Sequence, residues 1–236
     1  MSVPRPIFIH GSGGDHRVWS LQTSRLAGAV ALDLPGHPDG EPATDIAGLA
    51  EAIGFALTEI EGPRVLIGHS LGGAASLELT VSHPELVDGL VIIASGARLG
   101  VPDETLARAE NAFGEERERL IAGSFADPAT PMARRARQAL DAAGPVSLRA
   151  DYAACCSVDL RGRLGDVRVP VLIIVGEDDP FTPVRKSEEL ARELPLSQMV
   201  VIPGARHMPM AEFDGTVTAL VAAYLARLEL TLDERE

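Results

Sequence analysis

The stretch Gly68-His69-Ser70-Leu71-Gly72-Gly73 limits what this chain can fold into more than any other. It separates Arg64-Val65-Leu66-Ile67, which reads as a short buried strand, from Ala74 to Leu79, which reads as helix. A strand that passes into a helix through so few residues must turn sharply. Any Cβ two positions from Ser70 would crowd the backbone, so glycine is needed there. The turn leaves the Ser70 hydroxyl projecting above the sheet, with a helix N-terminus beneath it that favours negative charge. This is the geometry of a nucleophile elbow.

Three further segments supply what such a serine needs. Pro6-Ile7-Phe8-Ile9 runs into His10-Gly11-Ser12-Gly13-Gly14, a strand ending in a glycine-rich turn. That turn can aim a backbone N–H at a developing oxyanion, the second donor being the residue after the nucleophile. The apolar run from Val169 to Val175 ends in Gly176-Glu177-Asp178-Asp179-Pro180, and Met199-Val200-Val201-Ile202 leads to Pro203-Gly204-Ala205-Arg206-His207-Met208. Serine, acid and histidine each follow a buried-type strand, where open parallel sheets place their sites. A serine hydroxyl needs a base to attack a carbonyl at neutral pH, and an acid holds the base in the useful tautomer.

With these turns in this order, the chain resembles the α/β-hydrolase fold family, in its serine-hydrolase, carboxylesterase-like branch. The match rests on His10-Gly11-Ser12-Gly13, Asp33-Leu34-Pro35-Gly36-His37, Gly68-His69-Ser70-Leu71-Gly72, Gly176-Glu177-Asp178-Asp179 and Gly204-Ala205-Arg206-His207, and it covers nearly the whole chain. The resemblance implies Asp179 as the acid, with Asp178 as the fallback, His207 as the base, and the backbone N–H groups of Ser12 and Leu71 as oxyanion donors. It implies hydrolysis of a small-molecule carboxylic ester through an acyl-enzyme on Ser70. A C–C bond hydrolase, thioesterase or lactonase would use the same triad, and a ligand sensor with little turnover is the alternative from another class. Gly11, Trp19 and Met208 are candidate pocket residues, although Trp19, the only tryptophan, reads equally well as core. His10, His37 and His69 are expected to hydrogen-bond the loops around the site, and His16 and His83 to face solvent. Arg206 stands where the family often has glycine, and a cation so close would disfavour a second positive charge on His207. Arg98, Arg149 and Arg161 hint at a carboxylate-bearing substrate but read more simply as solvating side chains.

The fold class is α/β, with a mostly or wholly parallel sheet of about six strands and the family's N-terminal strands trimmed away. Helices are expected from about Asp45 to Ile60, through the elbow to Ser82, from Thr182 to Leu194 and from Asp214 to Leu228, with Asp233 to Glu236 frayed. Between the fourth and fifth strands the strand-like runs vanish, and Pro102, Pro128, Pro131 and Pro145 divide an Ala-, Arg- and Glu-rich stretch into roughly three or four helices. Residues 1–96 and 164–236 are therefore read as the core and 97–163 as a helical cap. A net charge of −13 argues against nucleic acid and anionic membranes as partners and leaves a small-molecule substrate. No cofactor or metal is expected. The turn at Gly11 to Gly14 is too short for a phosphate loop and lacks its lysine, and Cys155-Cys156 makes neither an unstrained disulfide nor a zinc site. Met1 to Pro6 lacks the features of a signal peptide, and no run is long enough to span a bilayer, so a cytoplasmic protein is expected.

Overall fold

Parallel strands built from unbroken apolar runs need cover on both faces. In the computed structural model, which describes residues 3–233, β1 (Arg5–Ile9), β2 (Val30–Leu32), β3 (Arg64–His69), β4 (Gly89–Ile93), β5 (Val171–Gly176) and β6 (Ser197–Ile202) form one six-stranded sheet. Its order is β2-β1-β3-β4-β5-β6, and every neighbouring pair is parallel, as the sequence led one to expect. Leu66 lies beside Ile7 on one side and Leu90 on the other, and Leu90 lies beside Val171. The two-residue period then sends Ile7, Ile9, Leu66, Leu90 and Ile92 into one buried cluster and Phe8, Val65, Ile67, Val91 and Ile93 into another. Only the edge strand β6 carries exposed residues, Gln198 and Val201.

The nine α-helices among the described residues are α1 (Ser20–Thr23), α2 (Ile46–Leu57), α3 (Leu71–Ser82), α4 (Asp103–Asn111), α5 (Phe113–Ser124), α6 (Pro131–Ser157), α7 (Val184–Glu193), α8 (Pro209–Glu212) and α9 (Asp214–Asp233). Leu49 and Ile53 of α2, Leu77 and Leu79 of α3 and Leu190 of α7 fill the first cluster. Val217 and Val221 of α9 join the second, together with Ile121, Leu140 and Leu148 from the helices inserted between β4 and β5. Asp45 caps α2, its Oδ1 accepting from Gly48 N at 2.8 Å. That helix stops at Leu57 and not at Ile60, because Thr58 N and Ile60 N bond back three residues and tighten the last turn. α7 starts after Pro183, two residues later than expected, while α9 runs on past Leu228 to Asp233. The expected fraying lies largely at residues 234–236, outside the described residues.

Helix α6 is two helices meeting at Gly144, whose φ of 74° lies outside helical space and is followed by Pro145. Among the described residues no helix is long and apolar enough to cross a membrane. Because the strands are parallel, their C-terminal ends share one edge. The turns that carry Ser12, Ser70, Asp179 and His207 all leave from it.

Candidate active site

The elbow is built by close approach. A Cβ on Gly68 would sit 2.4 Å from Gly72 O, and one on Gly72 would sit 2.2 Å from His10 O. Both contacts are with backbone, so neither can yield. Ser70 itself holds φ 50°, ψ −118°, a conformation that L-residues rarely adopt. Its N–H donates to Ile93 O at 2.9 Å, and its carbonyl accepts from Ser95 Oγ at 2.7 Å, so both neighbouring loops fix the turn.

The Ser70 Oγ lies 3.0 Å from His207 Nε2, and His207 Nδ1 lies 2.8 Å from Asp179 Oδ2. Asp179 is buried, whereas the fallback Asp178 is exposed, so the structure brings Asp179 to the histidine. Asp179 Oδ1 accepts from the N–H groups of Phe181 and Thr182 at 2.8 and 2.9 Å, and Oδ2 also accepts from Thr182 Oγ1 at 2.6 Å. Burial alone would raise the pKa of this carboxyl. The His207 partner and the Thr182 bonds outweigh that and hold it well below the usual carboxylate range. His69 supports the same loop: its Nε2 donates to His207 O at 2.8 Å, and the two rings lie 4.8 Å apart. Burial, reinforced by His207, pushes His69 down to about 3, so it stays neutral and keeps that donor.

The glycine turn beside the serine is equally fixed. His10 Nδ1 donates to Gly11 O at 2.8 Å, while Nε2 accepts from Leu34 N at 2.9 Å, a pairing open only to neutral imidazole. Burial and the neighbouring His37 push His10 down to about 4. Gly13 N donates to Asp151 Oδ2 at 2.7 Å, tying the turn to α6. Ser12 N–H has no acceptor among the described residues, and Leu71 N–H, first in α3, has no intrahelical one. Two backbone donors on either side of Ser70 are therefore free to meet an oxygen. His37 Nε2 stands 3.1 Å from the same Asp151 Oδ2, in a geometry too bent for a hydrogen bond. Despite its burial, that carboxylate raises the His37 pKa.

A cavity of about 410 Å³ opens at Ser70 and His207. Gly11, Ser12 and Met208 line it from the sheet side, and Leu120, Leu140 and Tyr152 of the inserted helices line it from above. Trp19 is not part of the lining. Its side chain is fully buried and tilted against Phe8 with ring centroids 4.9 Å apart, so the only tryptophan is core and its neighbour Val18 reaches the cavity instead. Arg206 turns away from the site, its Nη1 donating to Ala122 O at 2.6 Å. Arg149 and Arg161 pair with Glu110 and Asp159, and neither they nor Arg98 line the cavity. His16 and His83 are half exposed, His16 pairing with Asp33. Cys155 is buried with its Sγ 3.8 Å from Ser12 Oγ, and its thiol is pushed up to about 12 by burial, whereas Cys156 is exposed.

Other cavity residues escape a reading of the sequence alone. Phe181 packs edge-on against His207 at 5.1 Å, and Arg108 and Arg119 reach the cavity from α4 and α5. One signal was available: Glu116 falls at helical spacing with Phe113 and Leu120, on the apolar side of α5. A buried acid in that phase calls for cationic partners, and the partly exposed Arg108 and Arg119 are those partners.

Comparison with known proteins agrees with this architecture. The family model for the alpha/beta hydrolase family matches residues 7–220. A pimeloyl-[acyl-carrier protein] methyl ester esterase from Neisseria meningitidis serogroup A is 32% identical, over 99% of this chain and 79% of the relative. One from Vibrio atlanticus is 27% identical over 93% of each chain. Among solved structures, a thermophilic esterase superposes with a TM-score of 0.87 at 32% identity, covering 95% of this chain and 90% of its own.

Proposed function

The chain belongs to the alpha/beta hydrolase family and hydrolyses a small-molecule ester, and from that premise we propose that the ester is cleaved by acyl transfer to Ser70, with His207 as base, Asp179 as its orienting acid and the N–H groups of Ser12 and Leu71 as the oxyanion hole. The observation that carries this reading is the unbroken chain from Asp179 Oδ2 through His207 Nδ1 and Nε2 to Ser70 Oγ, at 2.8 and 3.0 Å. With Asp179 ionised and accepting from Nδ1–H, Nε2 is left unprotonated and able to accept the serine proton.

Ser70 Oγ attacks the ester carbonyl as its proton passes to His207 Nε2. The carbonyl oxygen becomes an oxyanion held by the two backbone donors. When the tetrahedral species collapses, the ester C–O bond breaks, and the departing alcohol takes the proton from His207. Water then enters, gives a proton to the same nitrogen and attacks the acyl-enzyme. The second collapse releases the carboxylic acid and restores Ser70. His69 and His10, held neutral by burial, position the two loops and exchange no protons in the cycle.

The inserted helices α4–α6 act in this reading as the cap that closes the cavity over the bound ester. The methyl ester named in the relatives makes methyl alkanoates the first substrates to test. Steady-state hydrolysis of methyl and p-nitrophenyl esters is expected in the parent, with kcat lowered about 10³-fold or more in Ser70→Ala. Equal turnover by parent and variant would remove Ser70 from the chemistry.

A further inference from the structure

The charges around the cavity are unlike those of the rest of the chain. In a protein of net charge −13, the cavity lining includes Arg108, Arg119 and Lys186, the sole lysine, against one carboxylate, Glu104. Glu104 is itself mostly exposed and 4.0 Å from Arg108, a pair worth little in water. Lys186 donates to Arg98 O at 2.7 Å, and no carboxylate lies within ion-pair distance of it among the described residues.

The two arginines are held by an acid that does not reach the cavity. Glu116 is fully buried and accepts from Arg119 Nε and Nη2 at 2.8 and 2.6 Å, from Arg108 Nε at 3.0 Å and from Tyr152 OH at 2.6 Å. Its oxygens are saturated, so it fixes the guanidinium groups without using all their donors. Arg119 Nη1 has no acceptor among the described residues. The Arg119 guanidinium stands over the Phe181 ring at 5.3 Å, and Phe181 meets His207 edge-on at 5.1 Å. A cation is thus held two contacts from the base, with a planar fork suited to a carboxylate.

We propose that Arg119, backed by Arg108, binds a free carboxylate at the end of the substrate remote from the scissile ester, so that the preferred substrates are half-esters of short dicarboxylic acids. The inference rests on the ester-hydrolase reading of Ser70 and deepens it. Lys186 adds to the positive potential that draws the anion into the cavity.

The test is kcat/KM for monomethyl and dimethyl esters of the same diacids, malonate to suberate, in the parent, Arg119→Gln and Arg119→Lys, each checked by thermal unfolding. Arg119→Lys keeps a charge beside Glu116 and so guards against loss of fold. The parent is expected to prefer the half-ester by roughly tenfold to a hundredfold at its best chain length, the range of a charge-assisted hydrogen bond. That preference should vanish in Arg119→Gln, shrink in Arg119→Lys and weaken as salt is raised. A merely structural role for Arg119 would slow both esters and leave their ratio intact, which overturns the proposal. So does a parent that favours the dimethyl ester. Turnover of neither ester by the folded parent would sink the hydrolase reading and this one with it.

Discussion

Asp179→Asn isolates the step on which the proposed chemistry depends. The substitution is nearly isosteric, and the surrounding donors dictate how the amide must sit. Phe181 N and Thr182 N both point at Oδ1, at 2.8 and 2.9 Å. The amide oxygen must therefore take that place, since the amide nitrogen would meet two donors with no acceptor. This puts Nδ2–H₂ where Oδ2 was, 2.8 Å from His207 Nδ1. The nitrogen now donates to Nδ1 and moves the imidazole proton to Nε2, facing Ser70. The base can no longer accept, and the imidazolium formed on attack has lost its counter-charge. The same swap in a Ser-His-Asp protease lowers kcat about 10⁴-fold, roughly 5.5 kcal/mol of transition-state stabilisation, and a loss of that order is expected here. Pre-steady-state and steady-state hydrolysis of a p-nitrophenyl ester would measure it, with KM expected to change little. Asp178→Asn, on an exposed side chain, is the control and should stay near the parent. Retention of more than about a tenth of kcat in folded Asp179→Asn would refute the tautomer argument.

Asp151→Asn should lower kcat about 10-fold or more with a smaller change in KM, because the charge-assisted bond from Gly13 N that fixes the oxyanion turn is weakened; kinetics on a single ester measures the split. His10 and His69, held down to about 4 and about 3, bind protons more readily when unfolded, so the stability they contribute is lost as pH falls from about 6.5 toward those values. Each should remove about 1.4 kcal/mol per pH unit in that window. His37, whose pKa is raised, acts in the opposite sense and offsets part of the loss. Denaturant unfolding at pH 7 and pH 5 should show a net decrease in stability. Trp19→Ala, which empties a fully buried site against Phe8, should destabilise by about 3–5 kcal/mol and leave the KM for small esters near the parent value, as measured by unfolding and kinetics.

The strands and the four turns of the site were legible because each carries a local physical signature. The buried strands are unbroken Val/Ile/Leu runs, and the elbow needs glycine at 68 and 72 whatever surrounds it. Choosing between Asp178 and Asp179 could not be settled by spacing alone. It depends on which carboxylate turns inward, and Phe181 N and Thr182 N decide that by capturing Oδ1 of Asp179. Trp19 was ambiguous for a related reason: both core and cavity accept a large aromatic, and only the packing of Phe8 distinguishes them. The cavity roof was the least legible part. Arg119 sits in an Arg-Glu-Arg run that looks like a solvated helix face, and although the phase of Glu116 places it on the apolar side of α5, nothing local says that α4 and α6 supply its partners Arg108 and Tyr152. Likewise, the link from Gly13 to Asp151 joins residues 138 positions apart.

Acyl transfer to Ser70 is tested most directly by trapping the intermediate. The protein would be mixed with a slowly deacylated p-nitrophenyl ester and quenched in acid. Peptide mass spectrometry would then locate the acyl group, with Ser70→Ala treated in parallel. One acyl group is expected on the peptide containing Ser70, formed at the rate of the p-nitrophenol burst and absent from the variant. Turnover without acylation, or acylation at another residue, would contradict the mechanism.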